Sequence, residues 1–407
     1  MLQPSNTQQQ HPQTICFYSD SAAPLAILGG ATTARGGAEK QIAHLMAALA
    51  ERGHQIYLLH RVPYTDGRAD QSGEHDRDGD DSSREGALAV EGITAIPVAI
   101  DWRRPWSLVT LWQKLAHLAP DLIYARLPDD FLWLLAFYAK THKPTRFAFA
   151  LAHDRFCNPW QSYTYHRWFH NPLYALGLAM ADVVVVQHVQ QRTVVAQHCR
   201  GEVVLIPNLI EKIAQRARRW EETTYDAIWV SQIRPAKQVE RFLDVVAALP
   251  HRRFALVGGF TDAIDEVTAA GYRQRIAQLP NLHYLGLCTP AETLGHIVHS
   301  KVLLNTSSGE GFPNTMLEAW SVGVPVVSLL IDPGNVIVRH QLGFVSGQMD
   351  KFRADVEALL QSPVRNQQMG ANGLRYVREH HGVDFVCRAL LALAPVHANG
   401  EATYATG

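Results

Sequence analysis

Chemistry concentrates where the chain runs Ser307-Ser-Gly-Glu310-Gly-Phe-Pro-Asn-Thr-Met-Leu-Glu318. Gly309 and Gly311 allow a backbone to approach a ligand closely, and Pro313 and Asn314 suit the start of a helix, with Asn314 as its N-cap. A helix N-terminus presents unpaired N–H groups and a positive dipole end, which together make a phosphate site. The turn of Gly311, Phe312, Asn314 and Thr315 is therefore a candidate for binding a phosphorylated ligand. Glu310 before it and Glu318 one turn into the helix are poor phosphate partners but good acceptors for hydroxyls, a sugar for the first and a ribose for the second.

Three other stretches carry suitable groups at strand ends. Arg234 and Lys237 follow an apolar strand at 227–230, and a guanidinium fork with an ammonium point charge suits diphosphate neutralisation. His153 and Asp154 directly follow a strand at 146–151, where an α/β sheet presents side chains to a ligand. Gly36 and Gly37 open a helix whose Ile42, Leu45, Met46 and Leu49 form one stripe and which stops at Gly53, giving a second helix N-terminus.

The elements that must position these groups alternate between short apolar strands and amphipathic helices. Strands are expected at 15–18, 56–59, 93–98, 122–125, 146–151, 181–186 and 203–208. After a polar run at 211–224 the alternation restarts with 227–230, 254–257, 283–285, 302–304, 324–328 and 343–346. This predicts an α/β protein with two Rossmann-like domains, 15–208 and 209–383. Residues 65–85 hold almost no apolar side chains and read as a mobile surface insertion.

The phrase from Glu310 to Glu318, ahead of Gly323-Val-Pro-Val-Val, resembles the E-x7-E signature of retaining glycosyltransferases of the "glycosyl transferases group 1" family, which have the GT-B fold. Gly36-Gly37-Ala38-Glu39 is similar to that family's GG-x-E phrase, and the Ile206-Pro-Asn208 exit resembles its hinge. The resemblance implies a nucleoside diphosphate sugar donor held mostly by the second domain. It also implies a glycan, lipid-linked or small-molecule acceptor met by the first, and transfer with retention. It implies His153 at the donor sugar, Lys237 and Arg234 at the diphosphate, Glu310 at the sugar and Glu318 at the ribose. It further implies a helix at 384–395 crossing back to the first domain, and no metal or other cofactor, because cationic side chains replace it. Family members usually carry an arginine five positions before the lysine; here that position is Gln232, with Arg234 three before. The rival readings are a GT-B-fold epimerase or phosphorylase, and a catalytically degenerate nucleotide-sugar binding protein, for which Gln232 is the best support.

With 407 residues the chain can bury two cores, and its net charge of −1 gives no basic face for nucleic acid. Its five cysteines are scattered singly, as in reduced cytoplasmic proteins. The Gln-rich start is unlike a signal peptide, and no apolar run approaches the roughly 20 residues that span a bilayer. Aromatic stretches at 102–106 and 156–174 leave core packing, an acceptor groove and a peripheral membrane contact open. His380 and His381 read as a solvated surface turn, and the tail from 395 as frayed.

Overall fold

The computed structural model describes residues 11–30, 36–62, 90–101, 104, 106–161 and 170–395. The stretch at 65–85, most of 102–106, the aromatic run at 162–169 and the tail beyond 395 lie outside these residues. Strands β1 (Thr14–Ser19), β2 (Gln55–Val62), β3 (Ile93–Ala99), β4 (Leu122–Ala125), β5 (Arg146–Ala150), β6 (Val183–Val186) and β7 (Glu202–Leu205) form one sheet. Its order is β3-β2-β1-β4-β5-β6-β7. Strands β8 (Tyr225–Val230), β9 (Phe254–Val257), β10 (Leu282–Gly286), β11 (Ser300–Asn305), β12 (Val326–Ser328) and β13 (Gly343–Val345) form the second, ordered β10-β9-β8-β11-β12-β13. Every pairing between these strands is parallel. The fold is therefore α/β with two Rossmann-like domains.

The sequence dictates this through near-continuous apolar strands. All four valines of β6 are buried, as are all four residues of β4 and of β9, which is what a parallel sheet covered by helices on both faces requires. Alternation along β1 divides the first core in two. Cys16 and Tyr18 join one apolar cluster with Leu111, Leu135 and Tyr174, while Ile15 and Phe17 join another with Ile42 and Leu45. The second cluster also holds Val386, Cys387, Leu390 and Leu391 from the helix Val383–Leu391, so the last helix packs on the first sheet.

The order of each sheet reverses once, between β1 and β4 and between β8 and β11. Such switch points open a crevice beyond the carboxyl ends of the strands. Two chain crossings join the domains. After β7 the chain leaves through Ile206, Pro207 and Asn208, and Ile210 forms a single parallel bridge with Gly382 on the return crossing.

One expectation is overturned here. His381 is 1% exposed rather than solvated. The two crossings close over it: its Nδ1–H donates to the Asn208 carbonyl at 2.6 Å, the His381 carbonyl accepts from the Ile210 N–H at 3.0 Å, and its ring lies against Phe312 and Tyr376. Burial pushes its pKa down to about 4.

Candidate active site

At the switch point of the second sheet, two loops are stitched together. The chain leaves β8 and turns through a short 3-10 helix, Pro235–Lys237, while β11 runs into Thr306 to Glu310. The Ser308 N–H donates to the Ala236 carbonyl at 2.9 Å, and the Thr306 hydroxyl to the Lys237 carbonyl at 2.8 Å. This brings the Lys237 ammonium and the Glu310 carboxylate into a direct ion pair, with side chains only 13% and 11% exposed. Burial lowers the Lys237 pKa, Glu310 opposes that shift, and the nearby charge of Arg234 adds to it. Arg234 is exposed, in the cap position of the 3-10 helix, so its guanidinium stands at the same end of the sheet as Lys237.

Beyond Glu310 the chain passes against the first domain. A Cβ on Gly311 would lie 2.3 Å from Gln187 Oε1 and 2.6 Å from the Ala152 carbonyl, so only glycine permits this approach. The Phe312 ring is buried against Trp320 and His381, and what it offers a ligand is backbone. The helix Asn314–Ser321 begins at Asn314, and Pro313 holds the cap position. The N-cap expectation for Asn314 is thereby corrected, because its side chain reaches across the cleft instead of folding back. Its Nδ2 donates to the Gly37 carbonyl at 2.9 Å, and its Oδ1 accepts from Asn208 at 2.9 Å and Gln41 at 3.2 Å. Thr315 is half-buried in the first turn, and the buried Glu318 forms an ion pair with Lys40 of the first domain.

The facing wall starts at the end of β5. His153 is extended and caps the 3-10 helix Asp154–Cys157 by accepting the Arg155 N–H on Nδ1 at 3.2 Å. A neutral ring bonded this way carries its proton on Nε2. Burial lowers the His153 pKa, with Glu310 and then Asp154 opposing. The ring faces the Glu310 loop: a Cβ on Gly309 would sit 3.5 Å from His153 Cε1. Asp154 accepts from His188 at 2.8 Å and Gln191 at 2.9 Å, and its N–H donates to the Glu310 carbonyl at 3.4 Å. Gly36 precedes the helix Gly37–Ala50, and Gly37 is exposed at the cleft, where a Cβ would lie 2.8 Å from Asn314 Nδ2.

Several groups here were not found by sequence reasoning. The side chain of Asn208 is a hub: its Nδ2 donates to the Phe312 carbonyl at 3.1 Å and to Asn314, while its Oδ1 accepts from Gln187 at 2.9 Å and from the buried Arg126. Gln41 bonds both the N–H and the carbonyl of Leu209, at 2.9 and 3.0 Å. In the first domain, Arg61 pairs with buried Asp129 at 2.9 Å beside Tyr18, at the carboxyl ends of β2 and β1. Lys40 left one trace in the sequence. A cation in the first turn of a helix opposes the helix dipole and calls for an outside partner.

Two parallel-sheet domains facing across a cleft, each with a helix N-terminus at its rim, define the GT-B architecture. The family model Glycosyltransferase Family 4 matches residues 35–212, and Glycosyl transferases group 1 matches residues 224–362. The chain is thus a glycosyltransferase of the GT-B type whose second domain belongs to the group 1 family. Its fold is similar to sucrose-phosphate synthase from Thermosynechococcus elongatus, at 15% identity and a TM-score of 0.68 over 94% of this chain and 98% of that one. It is also similar to HepE from Anabaena in complex with UDP and glucose, at 16% identity and 0.66 over 93% and 98%. With S. aureus TarM, in complex with fondaparinux, alpha-GlcNAc-glycerol and UDP, identity is 16% and TM-score 0.55, and the match covers 70% of this chain but 58% of that one. Among the described residues no group of three or more His, Cys, Asp and Glu could hold a metal ion, and no helix is long and apolar enough to cross a membrane.

Proposed function

We propose that this glycosyltransferase transfers a sugar, with retention, from a nucleoside diphosphate sugar to a glycan, lipid-linked or small-molecule acceptor. The observation that carries the reading is the buried Lys237–Glu310 pair at the second switch point, opposite His153. In this reading the diphosphate lies at Lys237, Arg234 and the amides of Asn314 and Thr315, with Gly36, Gly37, Gly311 and the Phe312 backbone closing around it. Glu318 accepts from the ribose hydroxyls. The sugar sits between Glu310 and His153, whose Nε2–H donates to a hydroxyl. As the bond from the anomeric carbon to the diphosphate breaks, negative charge grows on the leaving oxygen. A preorganised ammonium and helix N-terminus stabilise that charge without reorganisation. Lys237 and Glu310 hold each other in the ligand-free protein, and each then turns to its own part of the donor.

The acceptor would enter from the first domain, toward Tyr18, Arg61 and Asp129. A peripheral membrane contact belongs to the same proposal: Trp106, Val109 and Phe137 are exposed on neighbouring helices, with Lys140 and Lys143 close by. No metal is proposed, since the cationic side chains cover the leaving group.

The test is a transfer and hydrolysis assay against a panel of nucleotide sugars. Turnover of at least one donor, with the anomeric configuration kept in the product, is expected; no turnover of any, with sugar and lipid acceptors present, would refute the proposal. Co-sedimentation with anionic vesicles at low salt tests the membrane contact, and protein left in the supernatant would remove it.

A further inference from the structure

Lys40 lies in the first turn of the helix Gly37–Ala50, with its side chain 28% exposed. An ammonium there is repelled by the positive end of its own helix, so its placement needs a carboxylate. The carboxylate is Glu318, in the other domain, with its side chain 11% exposed. The contact is braced on both sides. Next to Lys40, Gln41 bonds Asn314 and the crossing at Leu209, and Asn314 in turn bonds the Gly37 carbonyl. The first turns of two helices from different domains are thus bolted together, with one ion pair at the donor face of the joint. A carboxylate accepts about four hydrogen bonds, so one ammonium leaves room for the two donors of a vicinal diol.

We propose that Lys40 is a positioning residue for the donor nucleotide: from the first domain, it fixes the carboxylate that the second domain offers to the ribose. The inference rests on the ribose assignment of Glu318 made above. It adds that nucleotide affinity, usually a property of one domain, depends here on a side chain of the other. Lys40 touches neither the sugar nor the diphosphate, so losing it weakens binding of the donor and leaves the chemical step alone.

The experiment is titration calorimetry of the full chain with UDP, ADP and GDP, followed by donor kinetics. Lys40→Met should weaken the tightest-binding diphosphate about tenfold, the loss expected for one charge-assisted hydrogen bond. The donor KM should rise in parallel while kcat stays within about twofold, and Lys40→Arg should recover most of the affinity. Glu318→Gln should weaken binding too, and the double variant should be no weaker than the poorer single one, because each change breaks the same link. Unchanged affinity in Lys40→Met, or a double loss equal to the product of the single losses, would overturn the proposal. If Lys40→Met does not fold, Lys40→Gln replaces it, with the same outcomes deciding. Wild-type protein that binds none of the three diphosphates would sink the functional reading itself. Wild-type binding with an indifferent Lys40 sinks only this inference.

Discussion

Replacing His381 by asparagine tests whether the hinge is built on a neutral, buried imidazole. His381→Asn keeps a donor near the position of Nδ1, facing the Asn208 carbonyl, and removes the only titrating atom. Burial lowers the folded pKa to about 4 from the ordinary 6.5. A lowered histidine pKa means that folding favours the neutral ring. The stabilisation is therefore whole above pH 6.5 and is lost as pH falls toward 4. At pH 7 almost none is missing, and at pH 5 the unfolded chain is nearly fully protonated at this site while the folded one is not. The linkage relation makes the difference about 2 kcal/mol. For a chain of 407 residues this corresponds to about 2 °C in Tm. Scanning calorimetry at pH 7 and pH 5 should show wild type losing about 2 °C more than His381→Asn over that interval, since all other titrations are shared. Equal losses would refute the argument, because the imidazole would then be accessible to protons in the folded state.

Lys237→Ala and Glu318→Ala should fold and lose most turnover; for Lys237 the fall in kcat is about 100- to 1,000-fold, the usual effect of removing one group that stabilises developing charge. Wild-type rates in either variant would contradict the site. Gly311→Ala drives a methyl group into Gln187 Oε1 and the Ala152 carbonyl. The side chain can yield but the backbone cannot, so a stability loss of about 1–3 kcal/mol is expected, together with an at least tenfold drop in kcat/KM for the donor, read by urea denaturation and steady-state assay. Chelation with EDTA should leave turnover unchanged, and a strict requirement for added manganese would count against leaving-group stabilisation by side chains alone.

Most of the fold was legible because the strands are apolar almost without interruption and the loops between them carry glycine and polar residues. The elements that escaped lack that signal. The helix Glu266–Ala277 buries only Ala269 and Ile276, so its sequence shows no stripe. The helix Pro290–Val298 buries only Ile297, although Thr289 and Glu292 ahead of it carry a start signal, each side chain accepting the other residue's backbone N–H in a capping box. Within the site, residues next to glycines and strand ends were readable, since Gly37, His153, Lys237 and Glu310 sit where a chain must turn toward a crevice. Lys40, Gln41, Arg126, Gln187 and Asn208 were not, because the partners that define them are far away in the sequence: Gln187 and Arg126 meet Asn208 from 21 and 82 positions away within the first domain, and Asn208, Gln41 and Lys40 reach the second domain over 106, 273 and 278. His381 misled for a related reason. A histidine doublet after a polar helix reads as exposed, and only the return crossing at Ile210 and Gly382 makes the second histidine interior.

The two kinds of polar contact between the domains are divided by what they have to withstand. At the hinge, the polar groups are mostly amides, the buried Gln41, Gln187 and Asn208 and the half-buried Asn314, joined to one another and to backbone carbonyls. Amides can be buried with their bonds satisfied and without the desolvation cost of a charge. Arg126, the cation among them, keeps its charge at any working pH. At the rim of the cleft stand the charged pairs, Lys237 with Glu310 and Lys40 with Glu318. A donor rich in phosphate and hydroxyl groups can take over the first pair one for one, while the second keeps its ion pair and offers the remaining lone pairs of Glu318 to the ribose. A charged hinge would shift with every phosphate that entered, and a neutral rim would give the phosphate nothing to replace. His381 is the group that could have blurred this division, and its burial keeps it neutral until the pH approaches 4.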